Sequence, residues 1–364
     1  MTPHKTVDKV NLFSLLCLVH TGIDMRSIER KRGSLSEHPE NPGYVADAKL
    51  PADHPRSLLP NAPYYVTKLG ATYLGPSFPM LQALPDASAN LVLTSPPYAL
   101  HFKKEYGNVS KDQYVEWFLP FAKEVLRVLS EDGSFVLNIG GSWNKGTPTR
   151  SVYHFKLLVE LVETVGFHLA QECFWYNPAK MPVPAEWVTV RRIRVRDSVE
   201  YIWWLSKTPW PKASNLNVLR EYSLDMIRLA KNGVRETVRP SGHVIRDSFD
   251  KIKAGGAIPP NVVEEQFAES MLKLGNNAAN DDYTKMCKES GTKIHPARFP
   301  AALPNFFIKL LTQPNDLVID PFAGSNTTGA VAEELDRRWL GFDDVEEYLQ
   351  ASRFRFDLQQ KPLF

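Results

Sequence analysis

Two short runs in this 364-residue chain bring together residue types that can do chemistry. The first is Thr94-Ser95-Pro96-Pro97-Tyr98. Prolines carry no N–H, so Pro96 and Pro97 present carbonyl acceptors on a stiff backbone. Ser95 adds a hydroxyl, and Tyr98 a flat ring on which a nucleic-acid base can stack. Such a corner suits a substrate that offers an amino group; alone, it fits a rigid turn as well. The second run is Asp320-Pro321-Phe322-Ala323-Gly324-Ser325-Asn326-Thr327-Thr328-Gly329. Gly324 lets a ligand approach the backbone, and Ser325, Asn326 and Thr327 can hydrogen-bond it. The dinucleotide glycine spacing and the phosphate-binding lysine are both absent, so the ligand is not held by phosphates. Asp343, about twenty residues on, is placed to take both hydroxyls of a ribose. A nucleoside without phosphates fits both facts.

The elements that must position these residues read as α/β. Ala89–Thr94 and Ser134–Ile139 are short apolar runs expected to be buried strands. Between them a helix is expected over Lys111–Leu129, with Tyr114, Phe118, Phe121, Val125 and Leu129 at helical spacing and Pro120 inside. A helix over Tyr153–Val165 and a strand over Leu169–Tyr176 continue the alternation. After a break at residues 206–290, rich in Pro and Gly, it resumes with a helix over Pro304–Thr312 and a strand over Leu317–Ile319. A helix to about Asp336 and a strand through Trp339 to Phe342 follow. Strands alternating with helices specify a doubly wound, mostly parallel sheet with both motifs at strand carboxyl ends. Trp203 and Trp204 are expected in the core.

Composition excludes several classes. With 43% hydrophobic and 23% charged residues the chain is an ordinary globular protein, and its net charge of +2 does not by itself mark a nucleic-acid binder. Its three cysteines, Cys17, Cys173 and Cys287, are too scattered for a disulfide framework or a zinc site, so no metal is expected and a reducing cytoplasm fits. The apolar segment Val10–Val19 is too short to span a bilayer and lacks a cleavage site, and reads as a terminal helix or an extension. Residues 1–65 as a whole read as a tail or covering segment.

Together the two motifs resemble those of the β-class amino-group DNA methyltransferases, in which a Ser/Asp-Pro-Pro-Tyr motif precedes the target-recognition region and Asp-Pro-Phe-x-Gly-Ser-Gly-Thr-Thr lies near the C-terminus. His295-Pro296-Ala297-Arg298-Phe299-Pro300 is similar to the family's further cofactor segment, and the stretch from Trp175 to Lys207 to the segment beside the target base. The resemblance covers about residues 70–350. It implies a circularly permuted methyltransferase fold: a catalytic half at 66–205, a recognition region at 206–290 and a cofactor half at 291–364. It implies S-adenosyl-L-methionine as cofactor, held by His295, Pro296, Phe299, Pro300, Asp320, Pro321, Phe322, Gly324, Ser325, Asn326, Thr327, Thr328 and Asp343, with Ser95, Pro96, Pro97 and Tyr98 catalytic. Two departures stand out: Asn326 occupies the second Gly position, and Pro76 stands where the family often has an acid.

What the resemblance implies is methyl transfer to an exocyclic amine of a flipped base in double-stranded DNA, with the Ser form of the motif favouring N4 of cytosine over N6 of adenine. Methylation at C5 of cytosine needs a thiol from a Pro-Cys motif, and none of the cysteines follows a proline. Arg192, Arg194 and Arg196 would share one face of a strand and grip phosphates, with Ile193 and Val195 facing the core, or form a solvated face paired with Asp197 and Glu200. Lys180 is a further phosphate candidate. A cognate restriction endonuclease is a possible partner. An RNA or small-molecule methyltransferase and a non-catalytic DNA-binding relative are the alternatives.

Overall fold

The computed structural model describes residues 50–99, 109–178, 180–232, 237–238, 240, 244–245, 255–264 and 281–357. Cys17, the segment Val10–Val19 and much of 206–290 lie outside them.

Among the described residues nine strands form one sheet: β1 (Tyr65–Val66), β2 (Gly70–Leu74), β3 (Ala89–Thr94), β4 (Leu129–Ile139), β5 (His168–Tyr176), β6 (Val199–Ser206), β9 (Val262–Glu264), β10 (Leu317–Asp320) and β11 (Arg338–Asp343). A separate two-strand ribbon pairs β7 (Thr237–Val238) with β8 (Val244–Ile245). The order across the sheet is β1-β2-β11-β10-β3-β4-β6-β5-β9. From β2 to β4 all neighbours are parallel, while β6 runs antiparallel to both β4 and β5. The mostly parallel sheet read from the sequence is therefore present.

The helices are α1 (Ser77–Ala83), α2 (Tyr114–Val128), α3 (Tyr153–Glu160), α4 (Leu224–Asn232), α5 (Asp282–Ser290), α6 (Ala302–Leu311), α7 (Thr327–Glu334), α8 (Glu346–Ser352) and α9 (Phe354–Asp357). Central strands bury both faces, and successive residues separate between them. Val92, Phe135, Leu137, Leu317 and Ile319 join the core that holds Phe118 and Val125 of α2. Leu91, Leu93, Val136 and Val318 join the core under α6 and α7. Trp203 is fully buried, whereas Trp204 is half-buried and donates Nε1–H to Ser134 Oγ at 3.0 Å.

Three details differ from the sequence reading. The sheet begins at Tyr65, the last residue of the stretch 1–65 that reads as a tail or covering segment. β4 starts at Leu129, because the register with β3 slips between Ala89 and Leu91 and accommodates the extra residues around Gly133. The strand after β5 is Val199–Ser206, not the arginine-rich run before it.

Chain connections place the site. β3 leads through α2 to β4 on one side, and β10 leads through α7 to β11 on the other. Neighbouring strands whose crossovers diverge leave a crevice at their carboxyl ends, where ligands bind in open α/β sheets. β3 and β10 are that pair, and they are the strands that end in the two motifs.

Candidate active site

Side by side, β3 and β10 deliver Thr94 and Asp320 to one edge, and the Thr94 hydroxyl donates to Asp320 Oδ1 at 2.6 Å. Asp320 is buried and also accepts from the Thr328 hydroxyl (2.7 Å) and the Phe322 N–H (3.1 Å). Burial pushes its pKa up to about 6 against these three bonds. One carboxylate thus ties together β3, β10 and α7, and the Ser95 corner begins one residue beyond Thr94.

In that corner Pro96 is buried, and Ser95, Pro97 and Tyr98 are half-buried. Tyr98 donates its hydroxyl to Glu200 Oε2 at 2.9 Å, and Lys180 Nζ meets Glu200 Oε1 at 3.0 Å. Burial, with the Glu200 charge next, raises the Tyr98 hydroxyl well above its ordinary pKa, so it stays protonated. Its single proton is committed to Glu200. The 3.2 Å bond between Ser95 Oγ and Tyr98 Oη must then have Ser95 as donor. Asn138 Nδ2 donates to Ser95 Oγ over a long 3.4 Å. What Ser95 has left is a lone pair, which accepts from an N–H and cannot donate. Asn138 Oδ1 is buried with no hydrogen-bond partner among the described residues, an omission worth about 1–3 kcal/mol until a donor arrives. The Tyr98 ring lies on Gly140, where a Cβ would come within 2.5 Å of Cε2.

Across the crevice, the turn after β10 follows from two left-handed residues. Gly324 has φ +52°, and its N–H donates to Asp343 Oδ2 at 2.7 Å. A Cβ there would come within 2.9 Å of His295 Nε2, so the imidazole lies over the turn, edge-on to Tyr348 at 4.4 Å. Asn326, at φ +53°, adopts the conformation a second glycine would. It also caps α7, accepting from Gly329 N–H at 3.2 Å and donating to Tyr65 Oη at 3.0 Å. The Ser325 and Thr327 hydroxyls lie 3.3 Å apart, and Arg355 holds the Ser325 carbonyl (2.7 Å) and hydroxyl (3.1 Å). Phe322 is half-buried against Trp117 and Phe121, with ring centroids at 6.1 and 5.4 Å. The Pro321 carbonyl accepts from the Ser77 hydroxyl, on the helix that starts after Pro76. Asp343 ends β11 half-buried, and Val345 N–H bonds its Oδ1 at 3.0 Å. Burial pushes its pKa up to about 6.

The structure therefore brings together Ser95, Pro96, Pro97 and Tyr98 on one side of the crevice. His295, Asp320 through Thr328 and Asp343 lie on the other. Phe299 packs toward the α6 and α7 core instead, Pro300 is half-buried and Pro296 is exposed. Lys180 is paired with Glu200 at the Tyr98 corner. Asn138, Gly140 and Arg355 were not singled out from the sequence, and Glu200, read there within the segment beside the target base and as a partner of the arginine run, was not assigned to Tyr98 and Lys180. Their places arise from strand register and from a C-terminal helix, neither of which short-range spacing encodes.

The arginine run corrects the expected strand. A π-helical turn over Glu186–Val190 precedes it, and Arg192 takes φ +55°, which no strand accommodates. Ile193 and Val195 are 58% and 85% exposed rather than core-facing. Arg194 donates to the Pro148 carbonyl and stacks 4.1 Å over Trp143, Arg196 reaches the Pro178 carbonyl at 3.1 Å, and Arg192 is exposed. Asp197 pairs with Arg150 at 3.1 Å. Among the described residues Cys173 and Cys287 are free and buried, no acidic, His or Cys cluster is arranged to hold a metal ion, and no helix is long and apolar enough to cross a membrane.

Across a switch-point crevice, an acceptor-lined corner thus faces a glycine turn and the half-buried Asp343 carboxylate. The N6/N4 DNA methylase family profile matches residues 89–354, and the chain belongs to that family. It is 49% identical over 297 residues, 81% of this chain and 85% of the other, to the Type II methyltransferase M.PvuII of Proteus hauseri. The Type II methyltransferase M.ScaI of Streptomyces caespitosus is 26% identical over 88% of this chain and 91% of its own. A solved structure of PvuII DNA methyltransferase, described as cytosine-N4-specific, superposes with a TM-score of 0.64 and 43% identity, covering 82% of this chain and 90% of that one.

Proposed function

We propose that the protein transfers a methyl group from S-adenosyl-L-methionine to the exocyclic N4 of a cytosine flipped out of double-stranded DNA. The observation that carries this reading is the polarity of the Ser95 corner. Its hydroxyl proton is committed to Tyr98, leaving a lone pair beside the unpartnered Asn138 Oδ1. Both are acceptors, and an amino group is a donor. The Pro96 carbonyl adds a third acceptor at the same turn.

The residues fit the cofactor by the chemistry of their donor set. Gly324 leaves open backbone beneath His295, Asp343 offers a carboxylate for ribose hydroxyls, and the turn itself carries neither the glycine spacing nor the lysine of a phosphate cradle. When bound, the cofactor supplies an electrophilic methyl on a positively charged sulfur. His295, Phe322, Gly324, Ser325, Asn326, Thr327 and Asp343 hold it, and Asp320 and Thr328 fix the turn from below. Ser95 and Pro96 orient the amine, a placement worth about 7–11 kcal/mol of barrier when both reactants are aligned. The Tyr98 ring stacks on the flipped base, offsetting about 1–3 kcal/mol of the flipping cost.

The neutral Ser95, and the cytosine-N4 specificity stated for the 43%-identical structure, favour cytosine over adenine. Arg192, Arg194 and Arg196 grip DNA phosphates, Lys180 is committed instead to Glu200 at the corner, residues 206–290 read the DNA word, and the chain follows the permuted order of the β class. A DNA substrate places the work in the cytoplasm, and a restriction endonuclease cutting the same word is the expected partner. Mass spectrometry of nucleosides from duplex DNA incubated with protein and cofactor tests this: N4-methylcytosine is expected, N6-methyladenine reassigns the target base, and an unmodified digest removes the reading.

A further inference from the structure

Methylating an amine leaves a proton to be disposed of. Resting on the transfer proposed above, the nitrogen's electron pair bonds the methyl carbon while the carbon–sulfur bond breaks with its pair on sulfur. The nitrogen, now positively charged, must release one N–H. Asp320 is the nearest acid to Thr94, but its oxygens are filled by Thr94, Thr328 and the Phe322 N–H. Glu200 is the acid in hydrogen-bond sequence with Ser95. It lies on β6, the strand antiparallel to β4, and reaches the corner from the side opposite β10.

We propose that Glu200 receives this proton through Ser95 and Tyr98. The hydrogen bonds already run one way: Ser95 donates to Tyr98 at 3.2 Å, and Tyr98 donates to Glu200 Oε2 at 2.9 Å. As the amine proton moves onto Ser95 Oγ, the Ser95 proton passes to Tyr98 and the Tyr98 proton to Glu200. Ser95 and Tyr98 end as they began, Glu200 becomes a neutral acid, and the product is a neutral methylamine. Lys180 Nζ fixes the other Glu200 oxygen at 3.0 Å and so aims Oε2 at Tyr98. Glu200 keeps 16% of its side-chain surface exposed, enough to return the proton to water between turnovers. Tyr98, held protonated by burial, conducts the proton rather than storing it. Asn138 donates to Ser95 from behind and, being an amide, cannot take a proton in this role.

The test uses the full-length protein, a duplex oligonucleotide bearing a methylated word found by sequencing, and radiolabelled S-adenosyl-L-methionine under single-turnover conditions. Glu200→Gln keeps an acceptor for Tyr98 but cannot hold the proton, and its rate is expected to fall about a hundredfold with cofactor affinity and KM for DNA unchanged. Tyr98→Phe breaks the path and leaves the Lys180–Glu200 pair intact, so it tests the path even if Glu200→Gln fails to fold. The double variant is expected to be no slower than the slower single one, because the groups act in series. Wild-type turnover is expected to slow in deuterium oxide and that of both variants to be insensitive. A Glu200→Gln rate within about twofold of wild type, or losses that multiply in the double variant, overturns the path. Absence of any methylated base with the wild-type protein overturns the transfer reading, and is told apart because it needs no variant.

Discussion

At Asp343 both carboxylate oxygens already accept backbone N–H bonds, yet burial, with Asp344 and Asp320 adding repulsion, lifts the pKa from 3.8 to about 6. Between those values the folded chain holds the proton more often than the unfolded one. The stabilisation of the free protein is therefore full below about pH 4 and lost as the pH rises through 6. Cofactor binding should run the other way, because ribose hydroxyls donate to the charged form. Affinity, measured by calorimetry, is expected to rise about tenfold from pH 5 to pH 7. Asp343→Asn is expected to bind weakly throughout with that slope gone; an unchanged slope would assign it to another group. Gly140 is the second residue-scale test. Adding a methyl there pushes the Tyr98 ring off its seat, so Gly140→Ala is expected to slow methyl transfer about a hundredfold while sparing cofactor affinity. Ser95, Tyr98 and Gly324 were legible because each belongs to a short motif whose chemistry is local, and Asp343 because it ends the next strand about twenty residues on. The Tyr98–Glu200 bond was not, since 102 residues separate its partners, although the resemblance had set Glu200 in the segment beside the target base.

Elements carry the next set of consequences. The turn into α7 depends on Asn326 doing two jobs: supplying a left-handed residue and capping the helix. Asn326→Gly satisfies the backbone but loses the cap and the Tyr65 bond, whereas Asn326→Ala loses both and adds strain. Urea denaturation is expected to show a loss of about 1 kcal/mol for the glycine variant and about 2–3 kcal/mol for the alanine variant. Equal losses would mean that Tyr65 and the cap carry the whole effect. The strands β3, β10 and β11 were readable because central parallel strands bury both faces and show as unbroken apolar runs. The alternation in Arg191–Arg196 misled because period two is necessary for a strand but not sufficient. A strand also needs a neighbour to pair with, and β4 and β5 are bridged by Val199–Ser206 instead.

Over the whole molecule, a net charge of +2 means DNA must be held by local basic groups rather than by a general field. Arg192 is exposed, so Arg192→Ala is expected to weaken binding to all duplexes alike and to lower the slope of log affinity against log salt by about 1. Arg194→Ala should do more, since Arg194 also stacks on Trp143 and pins the Pro148 carbonyl. Fluorescence anisotropy across a salt series measures both, and a change confined to one DNA word would instead make either residue a base reader.

The bond from Thr94 to Asp320 joins positions 226 residues apart. A ribosome delivers the amine-facing corner long before the strand that completes it, and domains assemble only as their parts emerge. Until β10 slots beside β3, the early half of the chain has nowhere to bring a methyl donor. A growing polypeptide thus carries no complete methyl-transfer site until the last strands of the sheet have been translated.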